Sequence, residues 1–144
     1  MDHKQSKQNI VLIGMPGAGK STTGVLLAKA LGRPFLDTDL LIQQEEGLLL
    51  QEIIDLKGND YFFSAEEKTV CGLQKEGLVI ATGGSVIYSR KAITHLKRGG
   101  KLIYLKLGFH AVKKRIKNIK SRGIVMPQGK SLRQLYIERE PMYS

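Results

Sequence analysis

The 144-residue sequence has one cysteine, no tryptophan and no long apolar run. Cys71 alone cannot form an internal disulfide or a thiolate metal site, so we expect it to be a small buried hydrophobe. The three histidines are scattered and indicate no metal cluster. No apolar stretch approaches the ~20 residues of a membrane span or the ~7–15 residues of a signal-peptide core. We therefore expect a cytoplasmic protein with no membrane partner, and a single domain over residues 1–144 that folds as a monomer.

Acidic residues are missing from position 77 to position 137. Residues 1–76 carry eight Lys and Arg against eleven Asp and Glu, whereas residues 77–144 carry fifteen against two. Such a bias is typical of a solvated basic face, and it also attracts nucleic acids, nucleotides or small anionic substrates. Few aromatic residues accompany the basic ones, and no RNA-binding motif occurs. We therefore expect no nucleic-acid partner.

The most specific motif is Gly14–Ser21, which reads GMPGAGKS and matches G-x-x-x-x-G-K-[ST] at every fixed position. Its surroundings match the motif as well. Asn9–Ile13 contains a run of four apolar residues that predicts a buried strand, and Ser21–Leu31 predicts a helix. The apolar residues of that helix at helical spacing are Val25, Leu26, Ala28 and Leu31.

This order of strand, glycine loop and helix predicts a site for the phosphates of ATP. Gly14, Gly17 and Gly19 have no Cβ, so the backbone can turn sharply and direct its amide groups inward. Lys20 can then reach the β- and γ-phosphates, and the Ser21 hydroxyl can bind Mg²⁺. The nucleotide-binding segment is completed by Ala18 and Thr22.

Two acidic residues follow the second predicted strand. If Asp37 and Asp39 continue the extended run Pro34–Leu36, their side chains point to the same side. The carboxyl ends of parallel strands gather at the ligand-binding edge of an open α/β sheet, which would place both residues beside the phosphate loop. Alternatively, Thr38 or Asp39 only caps a helix that begins near Leu40.

The rest of the chain alternates helices and strands. Helices are predicted over 40–46, 50–56, 60–74, 89–98, 109–120 and 131–138, the last stopping near Pro141. Strands are predicted over 78–81 and 102–105 as continuous apolar runs, which are typical of a parallel sheet covered on both faces. The sequence thus predicts an α/β fold of three layers around a central parallel sheet. Residues 121–130 have the composition of a mobile loop.

The ordered set of motifs resembles the shikimate kinase family over nearly the whole chain. Besides the phosphate loop, the set comprises Asp37-Thr38-Asp39, Ala81-Thr82-Gly83-Gly84, Arg122 and Arg139-Glu140-Pro141-Met142-Tyr143. The resemblance implies a P-loop kinase fold with a mobile lid at about 121–130. It also implies ATP and Mg²⁺ as cofactors and phosphoryl transfer to a hydroxyl of a small hydroxy acid, shikimate. A closing strand and helix that the family usually has are not found among these residues.

The same resemblance implies individual roles. Asp37 would reach the metal through water, and Asp39 would contact the reacting hydroxyl as its base. Gly83 and Gly84 would line the substrate pocket. Three arginines complete the site: Arg122 on the lid over the phosphates, Arg115 against the adenine and Arg139 at the substrate carboxylate.

Two positions depart from the family pattern. Phe63 replaces the arginine of a G-E-x-x-F-R-x-x-E run, and Ser85 replaces the third glycine of the pocket, where we expect a strained turn. Without the arginine, a shikimate-like acid loses a charged donor. The alternatives are therefore a kinase for another acceptor, such as gluconate, and a catalytically weakened ATP-binding homologue.

Overall fold

A four-stranded, wholly parallel sheet forms the centre of the computed structural model, which describes residues 8–115 and 131–143. The strands are β1 (Asn9–Ile13), β2 (Phe35–Asp37), β3 (Val79–Ala81) and β4 (Gly100–Tyr104), in the spatial order β2-β3-β1-β4. This sheet confirms the predicted α/β class. The predicted lid at 121–130 lies outside the described residues.

Helices connect the strands and cover them. They are α1 (Lys20–Leu31), α2 (Thr38–Glu46), α3 (Leu50–Lys57), α4 (Asn59–Cys71), α5 (Arg90–Gly99), α6 (Phe109–Arg115) and α7 (Leu132–Tyr143). A 3-10 helix over Gly84–Tyr88 links β3 to α5. Within the described ranges, no helix has the length and apolar character needed to cross a membrane.

The two faces of β1 define the layers. Val11 and Ile13 belong to the main core cluster with Val70 of α4 and Leu96 of α5. A smaller cluster fills the space between α2, α3 and α4 around Phe62. Since side chains alternate along a strand, Leu12 points to the opposite face, where α1 packs. Ile103 of β4 pairs with Leu12 and is 42% exposed, so the predicted cover on both faces holds for the central strands β1 and β3 but not for the edge strand β4.

Of the four apolar residues predicted to lie on the buried side of α1, only Ala28 is buried. Val25 and Leu26 are 49% and 64% exposed, and Leu31 is exposed as well. Gly24 lies on the buried side with Ala28, and a Cβ at Gly24 would lie 2.5 Å from Cε1 of Phe35. Small residues therefore let the helix approach the sheet more closely than its larger apolar residues would allow.

Two other local predictions also differ from the structure. Helix α7 runs past Pro141 to Tyr143, although proline lacks an amide hydrogen and crowds the preceding turn. Tyr143 holds this last turn because its ring stacks on Tyr104 at 5.3 Å. Cys71 is half-buried rather than part of the core.

The strand register brings the functional segments together. Leu12 of β1 pairs with Ala81 of β3, and Asp37 of β2 pairs with the same residue. All three strands therefore end at the same edge of the sheet. The segments that follow them begin at Gly14, Thr38 and Thr82 and share that edge.

Candidate active site

The loop after β1 has the conformation that its glycines permit. The φ angles of Gly14, Gly17 and Gly19 are +149°, +82° and +91°, values that residues with a side chain rarely adopt. A Cβ at Gly14 would also lie 2.8 Å from the carbonyl oxygen of Leu105. The loop thus needs glycine both for its turn and for its close approach to the backbone after β4.

The end of this loop is arranged to receive anionic oxygens. The N-cap residue of α1 is Gly19, so no side chain caps the first amide groups of that helix. Lys20 is 8% exposed, and its Nζ donates hydrogen bonds to the carbonyl oxygens of Gly14 at 2.6 Å and Met15 at 2.9 Å. Burial lowers the pKa of Lys20 to about 8, while the negative charge of Asp39 opposes that shift. A cationic ammonium beside the uncapped N-terminus of a helix fits a polyphosphate.

Ser21 and Asp37 form a pair of hard oxygen donors beside the loop. The Ser21 hydroxyl donates to Oδ2 of Asp37 at 2.7 Å, and Oδ1 of the same carboxylate accepts from the amides of Asp39 at 2.9 Å and Leu40 at 3.3 Å. Asp37 is thus the N-cap of α2. A carboxylate and a hydroxyl at this separation fit a Mg²⁺ ion bound directly or through water.

The predicted extended geometry of Asp37 and Asp39 is wrong, because β2 ends at Asp37 and Asp39 already lies in the first turn of α2. The helix turn nevertheless places Asp39 near Lys20. Burial, followed by the charge of Asp37, raises the pKa of Asp39 to about 6, and Lys20 opposes the rise. Its Oδ1 is buried and has no hydrogen-bond partner among the described residues.

A cavity of about 210 Å³ joins the phosphate loop to the end of β3. Its lining combines the loop, Asp39, the segment after β3 and one arginine: Pro16, Gly17, Gly19, Lys20, Ser21, Thr22, Asp39, Phe62, Thr82, Gly83, Gly84, Ser85 and Arg139. Residues far apart in the sequence thus meet in one cavity. Opposite charges line it, with Lys20 and Arg139 facing a space that Asp39 also borders.

Arg139 enters this cavity from α7. Its side chain is 1% exposed, and its Nε donates to the Tyr88 hydroxyl at 3.2 Å. The Tyr143 hydroxyl donates to the carbonyl oxygen of Gly84, which fastens the end of the same helix to the cavity wall. A Cβ at Gly84 would lie 2.7 Å from Cδ of Pro16 and 3.2 Å from Nη1 of Arg139, so the glycine leaves room for both side chains.

Comparisons with known proteins agree with this geometry. A sequence model described as "Shikimate kinase" matches residues 16–144. The chain belongs to the shikimate kinase family. A shikimate kinase from Baumannia cicadellinicola subsp. Homalodisca coagulata is 40% identical over 95% of this chain and 82% of its own length. The structure of a shikimate kinase from Acinetobacter baumannii in complex with shikimate has a TM-score of 0.88 at 33% identity, covering 99% of this chain and 82% of the other.

As a member of the shikimate kinase family, the chain is an ATP-using kinase that acts on a hydroxyl. The gluconokinase from Sinorhizobium meliloti 1021 has a TM-score of 0.50 at 22% identity and covers 92% of this chain and 74% of the other. At that identity only the fold is shared. The family assignment therefore rests on shikimate kinases.

The structure brings most of the predicted site residues of this shikimate kinase family member together. Five of the predicted nucleotide-binding residues line the cavity, namely Gly17, Gly19, Lys20, Ser21 and Thr22. Gly14 and Ala18 belong to the same loop but do not line the cavity. The backbone of Arg115 ends α6, but its side chain lies outside the described part, as does all of Arg122. The roles of these two arginines remain predictions.

The departures at Phe63 and Ser85 have local explanations. Ser85 does not strain its turn, because no non-glycine residue in the described chain has a positive φ and Ser85 lies in the 3-10 helix. Phe63 lies outside the main cavity and packs edge-on against Tyr88, with 5.9 Å between the ring centroids. An aromatic contact thus occupies the place where the family pattern has an arginine.

Sequence reasoning missed Glu66. The Ser85 hydroxyl donates to its Oε1 at 2.8 Å, while Oε2 has no partner among the residues described. A Cβ at Gly83 would lie 2.8 Å from this Oε2 and 2.6 Å from Oδ1 of Asp39, so both unpaired oxygens face Gly83. The helical spacing of Glu66 from Phe62 and Val70 was the signal that could have revealed its burial.

Proposed function

We propose that this chain transfers the γ-phosphoryl group of ATP to a hydroxyl of shikimate. The observation that carries the proposal is that Lys20, Asp39 and Arg139 line the same cavity. Lys20 can bind a polyphosphate, Asp39 an alcohol and Arg139 a carboxylate. The cavity also suits a small polar acceptor rather than a macromolecule.

The phosphate loop and the first turn of α1 hold the nucleotide in this proposal. Lys20 neutralises charge on the β- and γ-phosphates, and the amides at the start of α1 bind their oxygens. Ser21 and Asp37 would hold Mg²⁺, which offsets the negative charge that develops during transfer. Arg122 and Arg115 are proposed to act over the phosphates and at the adenine.

Asp39 is proposed to orient the acceptor hydroxyl and take its proton. With a pKa of about 6, its carboxylate is ionised at neutral pH yet basic enough to accept a proton. The hydroxyl oxygen forms a bond to the γ-phosphorus, the bond to the β–γ bridging oxygen breaks, and ADP leaves. The alcohol proton passes to Asp39.

Arg139 is proposed to bind the carboxylate of the acceptor, because a guanidinium matches two carboxylate oxygens. Gly83 and Gly84 let the acceptor approach the backbone of the segment after β3. The presence of Phe63, which offers no donor, favours a second candidate: a related small hydroxy acid with weaker demands on its carboxylate.

The direct test measures ADP release from ATP and Mg²⁺ with millimolar shikimate, gluconate or no acceptor, and identifies the product by ³¹P NMR. We expect turnover with shikimate only. Turnover with another acid alone supports the second candidate. If no acceptor stimulates ADP release, the kinase proposal is wrong and the chain is an ATP-binding homologue.

A further inference from the structure

Tyr88 stands behind the cavity, at the end of the 3-10 helix. It does not line the cavity itself, but its hydroxyl accepts the hydrogen bond from Nε of Arg139. The same hydroxyl donates to Oε2 of Glu138. The Tyr88 hydroxyl thus accepts one hydrogen bond from the guanidinium and donates another to the carboxylate, so it links the two groups.

The ring of Tyr88 makes a second contact with Arg139. The guanidinium carbon lies 5.0 Å from the centroid of the ring, within the range of a cation–π interaction. Phe63 packs edge-on against the same ring at 5.9 Å. Tyr88 is thus held between Phe63 of α4 and Arg139 of α7, two elements that are far apart in the sequence.

This arrangement fixes the direction of the guanidinium. A long arginine side chain has many rotamers, and ordering it costs free energy unless its neighbours restrict it beforehand. Tyr88 holds the Nε side, while Nη1 lies on the side of Gly84, at the cavity. Nη1 is therefore directed toward the place where a carboxylate would bind.

We propose that Tyr88 is a positioning residue that sets the orientation of Arg139 for the acceptor carboxylate, with Phe63 supporting its ring. This inference rests on the proposed function of the same cavity. Phe63 thereby contributes to carboxylate binding through Tyr88, although it has no donor of its own. Tyr88 touches neither reactant.

Two variants separate the parts of this role. Tyr88→Phe keeps the ring and loses the hydroxyl, whereas Tyr88→Leu loses both. The matched control is Tyr136→Phe, which removes a hydroxyl that α7 directs at the carbonyl oxygen of Leu107, at 2.7 Å. All variants are assayed for kcat and for KM with ATP, with shikimate, and with the alcohol made by reducing the shikimate carboxylate.

We expect Tyr88→Phe to raise the KM for shikimate about tenfold, and Tyr88→Leu to raise it further, since a hydrogen bond to a charged group is lost. The KM for ATP, and every constant measured with the reduced analogue, should stay within about twofold, as should all constants of Tyr136→Phe. An unchanged KM for shikimate, or an equal loss with the analogue, overturns the inference.

Failure of the proposed function is a separate outcome. If the wild-type protein does not phosphorylate shikimate, the proposed substrate is wrong. The ¹⁵N NMR resonance of the Arg139 Nε–H group, assigned with Arg139→Lys, still tests the contact. We expect Tyr88→Phe to shift this resonance and to speed its hydrogen exchange; an unaltered resonance contradicts the positioning role.

Discussion

Replacing Glu66 by Gln should stabilise the protein increasingly as the pH rises. Glu66 is 1% exposed, and burial is the main reason that its pKa is raised from 4.5 to about 8, with the charge of Asp39 adding to the rise. The hydrogen bond from Ser85 and the charges of Arg139 and Lys20 oppose it. The carboxyl is therefore largely protonated in the folded protein at neutral pH.

The sign of the effect follows from proton binding. Between pH 4.5 and 8 the folded protein keeps the Glu66 proton that the unfolded chain releases, so the favourable contribution is complete below pH 4.5 and is lost as the pH rises to 8. Each pH unit in that interval costs about 1.4 kcal/mol of unfolding free energy. From pH 6 to pH 8 the loss is about 2 kcal/mol, since the slope declines near the folded-state pKa.

Glutamine has nearly the same shape, can accept the Ser85 hydrogen bond and does not titrate. Urea unfolding of the wild-type protein and Glu66→Gln at pH 6 and pH 8 gives the free energies to compare. We expect the advantage of the variant to grow by about 2 kcal/mol between the two pH values. An advantage that is equal at both would show that Glu66 does not hold its proton in the folded state.

Three further predictions concern the cavity and its surroundings. Asp39→Asn should lower kcat about 10²–10⁴-fold, while calorimetry should show a nearly unchanged affinity for ATP; loss of ATP binding would contradict this role. In the wild-type protein, kcat/KM should decrease as the pH is lowered through about 6, because Asp39 gains a proton there. Gly83→Ala should lower kcat/KM at least about tenfold, because its Cβ would lie 2.6 Å from Oδ1 of Asp39. Gly108→Ala, where a Cβ would meet no atom within 4 Å, should not alter kcat/KM. Phe63→Arg should lower the KM for shikimate about tenfold, because a charged donor outweighs the lost ring contact with Tyr88. Phe63→Leu loses the same contact and adds no donor, so it should not lower the KM; equal effects would mean that no donor is missing there.

Several features of the fold and site could be read from local sequence. The phosphate loop needs only glycines that accept positive φ and a helix that starts after them, so Gly14–Ser21 was predicted with its flanking strand and helix. The central strands β1 and β3 were recognised as apolar runs, since a strand in the middle of a parallel sheet is buried on both faces. Asp39 could be identified as a site residue because it closely follows a strand at the ligand-binding edge.

Other features depend on contacts that no local pattern contains. The orientation of α1 is decided by the fit of Gly24 against Phe35, so its larger apolar residues point outward. Continuation of α7 past Pro141 depends on the contacts of Tyr143 with Tyr104 and Gly84. Apolar spacing in α1 and the proline in α7 predicted otherwise, because packing contributes more than a local pattern to where a helix lies and ends.

By itself, the sequence determined that the chain contains a phosphate-binding loop, since that loop is built from consecutive residues and their backbone dihedrals. Only the tertiary structure decided which distant groups share its cavity. It buried Glu66 beside Gly83, set Arg139 across from Lys20 and placed Tyr88 behind that arginine. The physical reason is that burial, and the pKa shifts it causes, arise from neighbours that approach only when the strands and helices pack.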